Sequence, residues 1–192
     1  MRTLIISVML MLAAAACRKT AYTPPAPQVS FTDLNGIGSG AQQPVTLDLD
    51  NDGVKDIRFT FTLVGDPIMQ VDKHQFYVSG YLHTYFPVNS AEACPVLPFN
   101  GLVSAESFPG YTWYNAPAMM LAEKVVSMNQ PPYWQGLWYS TAHRYIPFYL
   151  LKDGKRYFGW IEFSFDTTTE KVLLYSAGVA KEAEKSIRAG QH

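Results

Sequence analysis

The sequence predicts an all-β protein, an antiparallel β-sandwich of the jelly-roll type with little helix. Several segments alternate apolar and polar residues with a period of two, and turn-forming Asp, Asn and Gly residues separate them. The chain is 48% hydrophobic and 14% aromatic, which provides a core and excludes disorder for most of its length. We expect one domain over residues 44–192, because this length suits one core better than two.

A β-hairpin is predicted at the start of this domain. Apolar and polar residues alternate over 45–50 and again over 57–63, and a turn rich in Asp, Asn and Gly lies between the two segments. The second alternation places Phe59 and Phe61 on the inward face of their strand. This hairpin therefore opens the predicted sandwich.

Four further strands are predicted downstream, over 75–86, 144–151, 156–165 and 171–175. In the first of these, the alternation places Phe76 and Leu82 on the same face. The turn at 152–155 contains Asp-Gly, which favours a tight hairpin between the second and third strands. Ile161 and Phe163 are expected to point inward from the third.

Residues 116–127 are the one plausible helix in the middle of the sequence. Asn115 can cap it and Pro117 suits a first turn, whereas Val125-Val126 favours a strand. The alternatives are a longer helix and a single helical turn that leads into a strand, of which the valines favour the second. The tail at 181–188 has helix-like charge spacing but is short enough to be irregular.

The first sixteen residues are predicted to be a signal peptide. Arg2 precedes an apolar run at 4–12 that is too short to span a bilayer, and four alanines follow. The alanines and Cys17 resemble the lipobox of bacterial lipoproteins, although Ala14 stands where that motif usually has Leu. The resemblance implies that Cys17 is acylated and becomes the mature N-terminus. Plain secretion with an incidental cysteine is the alternative.

Residues 17–43 are predicted to contain the lipidated cysteine, a Pro-rich tether and the entry into the domain. The prolines within 23–27 favour an extended chain with few contacts. The basic pair Arg18-Lys19 favours an outer-membrane location facing the periplasm over export to the cell surface. We therefore expect a protein of the bacterial cell envelope that contacts the membrane through its lipid.

The net charge indicates which kinds of ligand the protein can attract, and the cysteine content indicates what can stabilise its fold. The formal net charge of −1 gives no basic field that would attract nucleic acid. If Cys17 is acylated, Cys94 is the one thiol left, so burial and not disulfide bonding must stabilise the domain. Cys94 lies near no metal-binding or catalytic motif and is expected to be a buried structural residue.

The turn of the first hairpin carries the strongest chemical signal. Its sequence Asp48-Leu49-Asp50-Asn51-Asp52-Gly53-Val54-Lys55-Asp56 places four carboxylates and the Val54 carbonyl at the ligand spacing of an EF-hand-like calcium loop, with Gly53 at the tight turn. Phe59 occupies the position of the bidentate Glu of an EF-hand, so the loop is closer to those of dockerin and other extracellular repeats. We predict that Asp48, Asp50, Asp52, Val54 and Asp56 bind a structural Ca²⁺ ion. An ordinary hairpin turn is the alternative.

Several segments together resemble a loose group of secreted bacterial β-sandwich proteins, most of them uncharacterised. The resemblance rests on the Asp-rich hairpin at 48–59 and on three later runs, Arg144-Tyr145-Ile146, Tyr157-Phe158-Gly159-Trp160-Ile161 and Ile187-Arg188-Ala189-Gly190. It covers about residues 44–190, with the middle unmatched. It implies a jelly-roll-like sandwich and export, and it brings no established activity.

Aromatic residues crowd two loop-like stretches of the sequence. Trp113, Trp134 and Trp138 lie beside Pro and Gly and are candidates for stacking against a sugar ring. Packing in the core or under a loop is the alternative, and it is the expectation for Trp160 within a strand. A glycan or a protein is therefore the expected class of ligand.

Catalytic signals are weak, so the prediction is a non-catalytic binding or structural module. His74, His83 and His143 lie far apart, and none of the common nucleophile, zinc or phosphate-binding motifs is present. The alternative is an envelope glycan hydrolase in which two of Glu106, Glu123 and Glu162 form a carboxylate pair.

Overall fold

The structure is a computed structural model that describes residues 29–115 and 118–191. The signal peptide, Cys17 and the Pro-rich tether predicted from the sequence lie outside these residues. Strands are the regular elements of the described chain, and none of its segments is a helix that could cross a membrane. The strands are β1 (Val29–Ser39), β2 (Val45–Leu47), β3 (Ile57–Asp66), β4 (Val71–Gly80), β5 (Thr84–Val88), β6 (Leu102–Val103), β7 (Thr112–Tyr114), β8 (Met119–Ser127), β9 (Tyr133–Gln135), β10 (Arg144–Lys152), β11 (Lys155–Asp166), β12 (Lys171–Ala180) and β13 (Ile187–Arg188).

Two antiparallel sheets pack against each other, which confirms the predicted all-β sandwich. One sheet has six strands in the order β1-β12-β11-β10-β5-β7, and the other has five in the order β2-β3-β4-β8-β9. The strands β6 and β13 form a separate small pair. All of these pairings are antiparallel.

The main core fills the space between the two sheets and is rich in aromatic rings. The ring of Phe163 stacks on Trp138 at 4.6 Å and meets the edge of Phe59 at 5.9 Å. As predicted, Phe59, Ile161 and Phe163 are fully buried, whereas Phe61 is half-buried and packs against the margin of this core. Cys94 is also buried here as a free thiol, in agreement with the sequence, and burial raises its pKa well above 9.0.

Gly159 is a position in the core where a side chain has no room. A Cβ atom at this residue would lie 2.3 Å from the ring of Phe148 on the neighbouring strand β10. The ring of Phe148 therefore occupies the space above the Gly159 backbone. This contact explains the glycine between two bulky aromatics in the run 157–161.

A second apolar cluster lies on the outer face of the six-stranded sheet. Trp160 is fully buried there and meets Tyr145 edge-on at 5.5 Å. The segments that cover this face include β6, β13 and the half-buried Trp113. Both faces of β11 are thus buried over 158–161, which is why these four residues are continuously apolar.

The segment predicted as one strand over 75–86 is two strands, and Leu82 is 91% exposed. The chain turns after Gly80, where the amide of Tyr81 donates to the carbonyl of Asp56 and the amide of Thr84 donates to the carbonyl of Tyr81. The turn moves the chain from the five-stranded to the six-stranded sheet. The prediction that Leu82 shares the face of Phe76 is therefore wrong.

The structure also shows which form three other segments take. Residues 119–127 are the strand β8, so the valines outweigh the helix signal in the described part of 116–127. The tail contains β13 and no helix. Glu184 pairs with Arg156, so the helix-like spacing of Glu184 and Arg188 does not produce an ion pair between them. Strand β1 begins at Val29, within the segment predicted to be tether and entry. Its register shifts at a bulge between Asp33 and Ile37, so the strand lacks a regular alternation in the sequence.

Candidate metal centre

The loop between β2 and β3 is held by its own carboxylates. The Oδ2 atom of Asp48 accepts the amide of Gly53 at 3.0 Å, and Oδ1 of Asp50 accepts the amide of Asp52 at 3.1 Å. Asn51 and Gly53 adopt positive φ values of 59° and 86°, the conformation that Asn and Gly tolerate best. The loop thereby folds its backbone around the side chains at 48 and 50.

Three of the four predicted carboxylates meet in this loop. Asp48, Asp50 and Asp56 each offer an oxygen, and these oxygens all lie within 4.8 Å of one another. Asp56 is fully buried, and the other two are half-buried. Among the described residues, Oδ1 of Asp48 is a buried oxygen without a hydrogen-bond donor. The three carboxylates can hold a metal ion.

Asp52 is not one of these three residues, and its predicted role as a ligand remains a prediction. It is exposed, and its Oδ1 accepts the amide of Val54 at 2.7 Å in a local turn. Ligation by the carbonyl of Val54 remains a prediction. Phe59, at the position of the bidentate Glu of an EF-hand, is buried in the core and contributes no oxygen.

Asp56 connects the loop to both sheets. Its Oδ2 atom accepts the amide of Leu49 at 2.5 Å, and its Oδ1 atom lies 2.6 Å from Nε2 of His83. Its own amide donates to the carbonyl of Leu47, while its carbonyl accepts the hydroxyl of Thr84 at 2.8 Å. One buried residue therefore links β2, the start of β3 and the segment between β4 and β5.

Two basic side chains flank the three carboxylates, and the sequence did not indicate either of them. Nζ of Lys152, at the end of β10, forms an ion pair with Oδ2 of Asp50, and His83 contacts Asp56. Both are distant from the loop in sequence, so only the folded topology brings them near. The Asp-Gly turn at 153–154 predicted the hairpin that carries Lys152, but not the carboxylate that it would meet.

The surroundings of Asp50 and Asp56 shift the pKa values of these two carboxylates in opposite directions. Burial raises the pKa of Asp56, and the amide of Leu49 and His83 oppose this effect without cancelling it. Burial also acts to raise the pKa of Asp50, but the hydrogen bond and charge of Lys152 outweigh it and bring the pKa below 3.8. When all three carboxylates are ionised, Lys152 cancels one of their charges. The two charges that remain match a divalent cation.

The three tryptophans proposed to stack on a ligand are packed against other aromatic rings. Trp138 is 1% exposed and stacks on Phe163, so its ring is not available to a ligand. Trp134 is half-buried, with its ring 5.1 Å from that of Phe165. Trp113 is half-buried on the outer face of the six-stranded sheet. Trp138 is therefore a core residue, which is the alternative that the sequence offered. Trp113 and Trp134 pack against other rings but keep part of their surface exposed.

Two of the three glutamates proposed as a hydrolytic pair, Glu123 and Glu162, lie on opposite outer faces of the sandwich. The carboxylate of Glu123 accepts hydrogen bonds from Gln75 and Gln135 on the outer face of the five-stranded sheet. Glu162 lies on the outer face of the other sheet, where it accepts from Ser176 at 2.7 Å. These two faces point away from each other, so Glu123 and Glu162 cannot flank one glycosidic bond. Glu106 is exposed in a loop.

Each described histidine is paired with a carboxylate. His74 lies 2.9 Å from Glu170, His83 lies 2.6 Å from Asp56, and His143 lies 2.8 Å from Glu162. The pairs are at three separate places in the fold. The pair of His74 also includes Lys124, whose Nζ is 2.5 Å from Glu170, and this cluster ties the turn between β11 and β12 to strands β4 and β8.

Comparisons with known proteins return no match: no family model, no curated protein and no solved structure is similar to this chain.

Proposed function

We propose that this protein is a non-catalytic binding or structural module of the bacterial cell envelope, anchored by a lipid on Cys17 and stiffened by a Ca²⁺ ion at Asp48, Asp50 and Asp56. The observation that carries the proposal is the convergence of these three carboxylates at the junction of the two sheets. The separation of Glu123 from Glu162 gives no support to the alternative of a glycan hydrolase.

The chemistry of the oxygens favours a hard divalent cation. Ca²⁺ takes six to eight oxygen ligands, and carboxylates that repel one another are stabilised when they share it. The buried Oδ1 of Asp48 lacks a hydrogen-bond donor, so it is ready to ligate without breaking a contact. Extracellular calcium modules with dissociation constants of about 10⁻⁴ to 10⁻³ M are filled in their environment. A weak site here is therefore sufficient.

Lys152 is the competitor of the ion in this proposal. Its ammonium already pairs with Asp50, so a bound ion must displace it or share the carboxylate. The ion gains more than the lysine can, because it interacts with all three carboxylates at once. The proposed role is structural, since the ion would hold together the β2–β3 loop, which Asp56 connects to both sheets.

Calcium is expected to stabilise the wild-type domain against thermal and chemical unfolding. At a free concentration one hundred times the dissociation constant, an ion that binds only the folded state contributes about 2.7 kcal/mol. Unfolding curves in millimolar Ca²⁺ and in EGTA measure this increment. Asp48→Asn is expected to abolish most of it, because the variant loses one of the three charged ligands.

Asp52→Asn is the matched control for this experiment. It removes a carboxylate from the same loop, but Asp52 lies outside the group of three. The calcium increment should therefore persist in this variant. A wild-type protein whose unfolding is indifferent to calcium would overturn the proposal of a calcium site.

The anchor on Cys17 is tested separately. We expect wild-type protein expressed in bacteria to incorporate labelled fatty acid and to partition into detergent, and we expect Cys17→Ala to do neither. The effect should be large, because each buried methylene contributes about 0.8 kcal/mol to membrane binding. Cys94→Ala is the matched control and should behave like wild type. Equal partitioning of Cys17→Ala and wild type would refute lipidation.

A further inference from the structure

One long edge of the five-stranded sheet lacks a neighbouring strand. Strand β2 pairs with β3 only from Ile57 to Phe59, while β3 continues to Asp66. Among the described residues, the strand pairing of 60–66 involves β4 alone, on the other side of β3. The stretch from Thr60 to Asp66, named here the open edge, therefore presents unpaired backbone groups.

Features that prevent edge-to-edge pairing are confined to the end of the open edge, where Asp66 pairs with Lys73 and Pro67 follows. Its run Thr60-Phe61-Thr62-Leu63-Val64-Gly65 contains no charge and no proline, and its register with β4 is free of bulges. Leu63 is 59% exposed and Val64 is 38% exposed. A bulge-free edge of six residues without charge or proline readily accepts another strand.

We propose that the open edge is a homodimer interface, in which two copies of this chain pair antiparallel across a twofold axis at Leu63. The axis position follows from the two ends of the open edge. On one side β2 blocks any strand next to Phe59, and on the other the chain turns away after Asp66. Leu63 is the midpoint of 60–66, so a twofold axis there uses the whole edge without a clash with β2.

The residue pairs that this axis creates are self-complementary. Leu63 faces Leu63 of the other copy, which covers the exposed leucine with an apolar partner. Thr62 faces Val64, and both have high β-propensity. Phe61 faces Gly65, an arrangement in which an aromatic ring covers an edge glycine. The two five-stranded sheets would become one continuous sheet.

A second copy suits this edge better than an anionic membrane does. The residues around the hairpin tip carry Asp66 and Asp72, and the neighbouring Lys73 is paired with Asp66 at 3.0 Å. No basic cluster of described residues is therefore available at the tip to attract anionic headgroups. The pairing rests on main-chain hydrogen bonds and a few side chains, so we infer a weak, concentration-dependent dimer.

Sedimentation equilibrium tests this interface, with Cys17→Ala in every protein, wild type included, so that no lipid contributes to association. We expect wild type to form a dimer as its concentration rises. Leu63→Lys and Leu63→Glu should each raise the dissociation constant by about tenfold or more, since two like charges would then face each other on the axis. An equimolar mixture of the two variants should recover the dimer, because lysine then faces glutamate. Amide exchange of 60–66 should slow as wild-type concentration rises.

The control is Leu82→Lys, which makes the same substitution at a leucine that is 91% exposed on the β4–β5 connection. It should dimerise like wild type, and unfolding curves should confirm that all variants are folded. A wild type that stays monomeric at about 1 mM, the upper end of specific weak affinities, would overturn the proposal. So would a mixture of the Lys and Glu variants that associates no better than either variant alone.

Discussion

Replacement of Asp56 by alanine is expected to lower the free energy of unfolding by about 3 kcal/mol, because it leaves the donors of a buried acceptor without a partner. The carboxylate is fully buried and accepts from the amide of Leu49 and contacts His83. In the variant, that amide would be left in an apolar environment without an acceptor. Urea unfolding in EGTA measures the loss without any contribution from a bound ion.

The matched control for Asp56→Ala is Asp52→Ala, four residues away in the same loop. Asp52 is exposed and accepts only the amide of Val54, so its loss should cost well under half as much. Asp56→Asn separates charge from hydrogen bonding, because its single oxygen can serve the amide of Leu49 while its amino group faces His83. Equal losses for the alanine variants at 52 and 56 would contradict the role of Asp56 as the link between the sheets.

The sequence predicted best those strands in which apolar and polar residues alternate regularly. The hairpin at 152–155 was predictable because Asp153 and Gly154 both take positive φ, at 50° and 73°, as a tight turn requires. The split of 75–86 was not predictable in this way. Strand β4 ends at Gly80, although the alternation in the sequence continues to Leu82. The turn after Gly80 depends on the carbonyl of Asp56, which is distant in sequence.

The candidate site shows the same division between local and distant information. Local spacing was sufficient to select Asp48, Asp50 and Asp56, because a tight loop must bring these positions near one another. The same spacing also selected Asp52, whose carboxylate caps its own turn. Lys152 was missed because the ion pair with Asp50 forms only when the two sheets stack and bring separate hairpins together.

The alternation pattern could not predict how deeply each inward-facing residue is buried. It indicates on which face of a strand a residue lies, but not what covers that face. Phe59 and Phe61 lie on the same face of β3, yet Phe59 is fully buried and Phe61 is half-buried. The reason is their position along the strand. Phe59 lies beneath Phe163 of the opposite sheet, whereas Phe61 lies near the margin, against Phe76 and His74.

Phe59→Ala is therefore expected to destabilise the domain by about 3 to 5 kcal/mol, and Phe61→Ala by only about 1 to 2 kcal/mol. The first substitution leaves a cavity below the ring of Phe163, while the second removes a side chain that already keeps part of its surface in water. Urea unfolding of the two variants gives both values, and each variant serves as the control for the other. Equal losses would mean that the sheets overlap along the whole of β3 and that the open edge is less accessible than its exposed leucine indicates. A larger loss at Phe59 would place the end of the core between the two phenylalanines, because the packing of the opposite sheet, and not the alternation, sets how much each ring contributes.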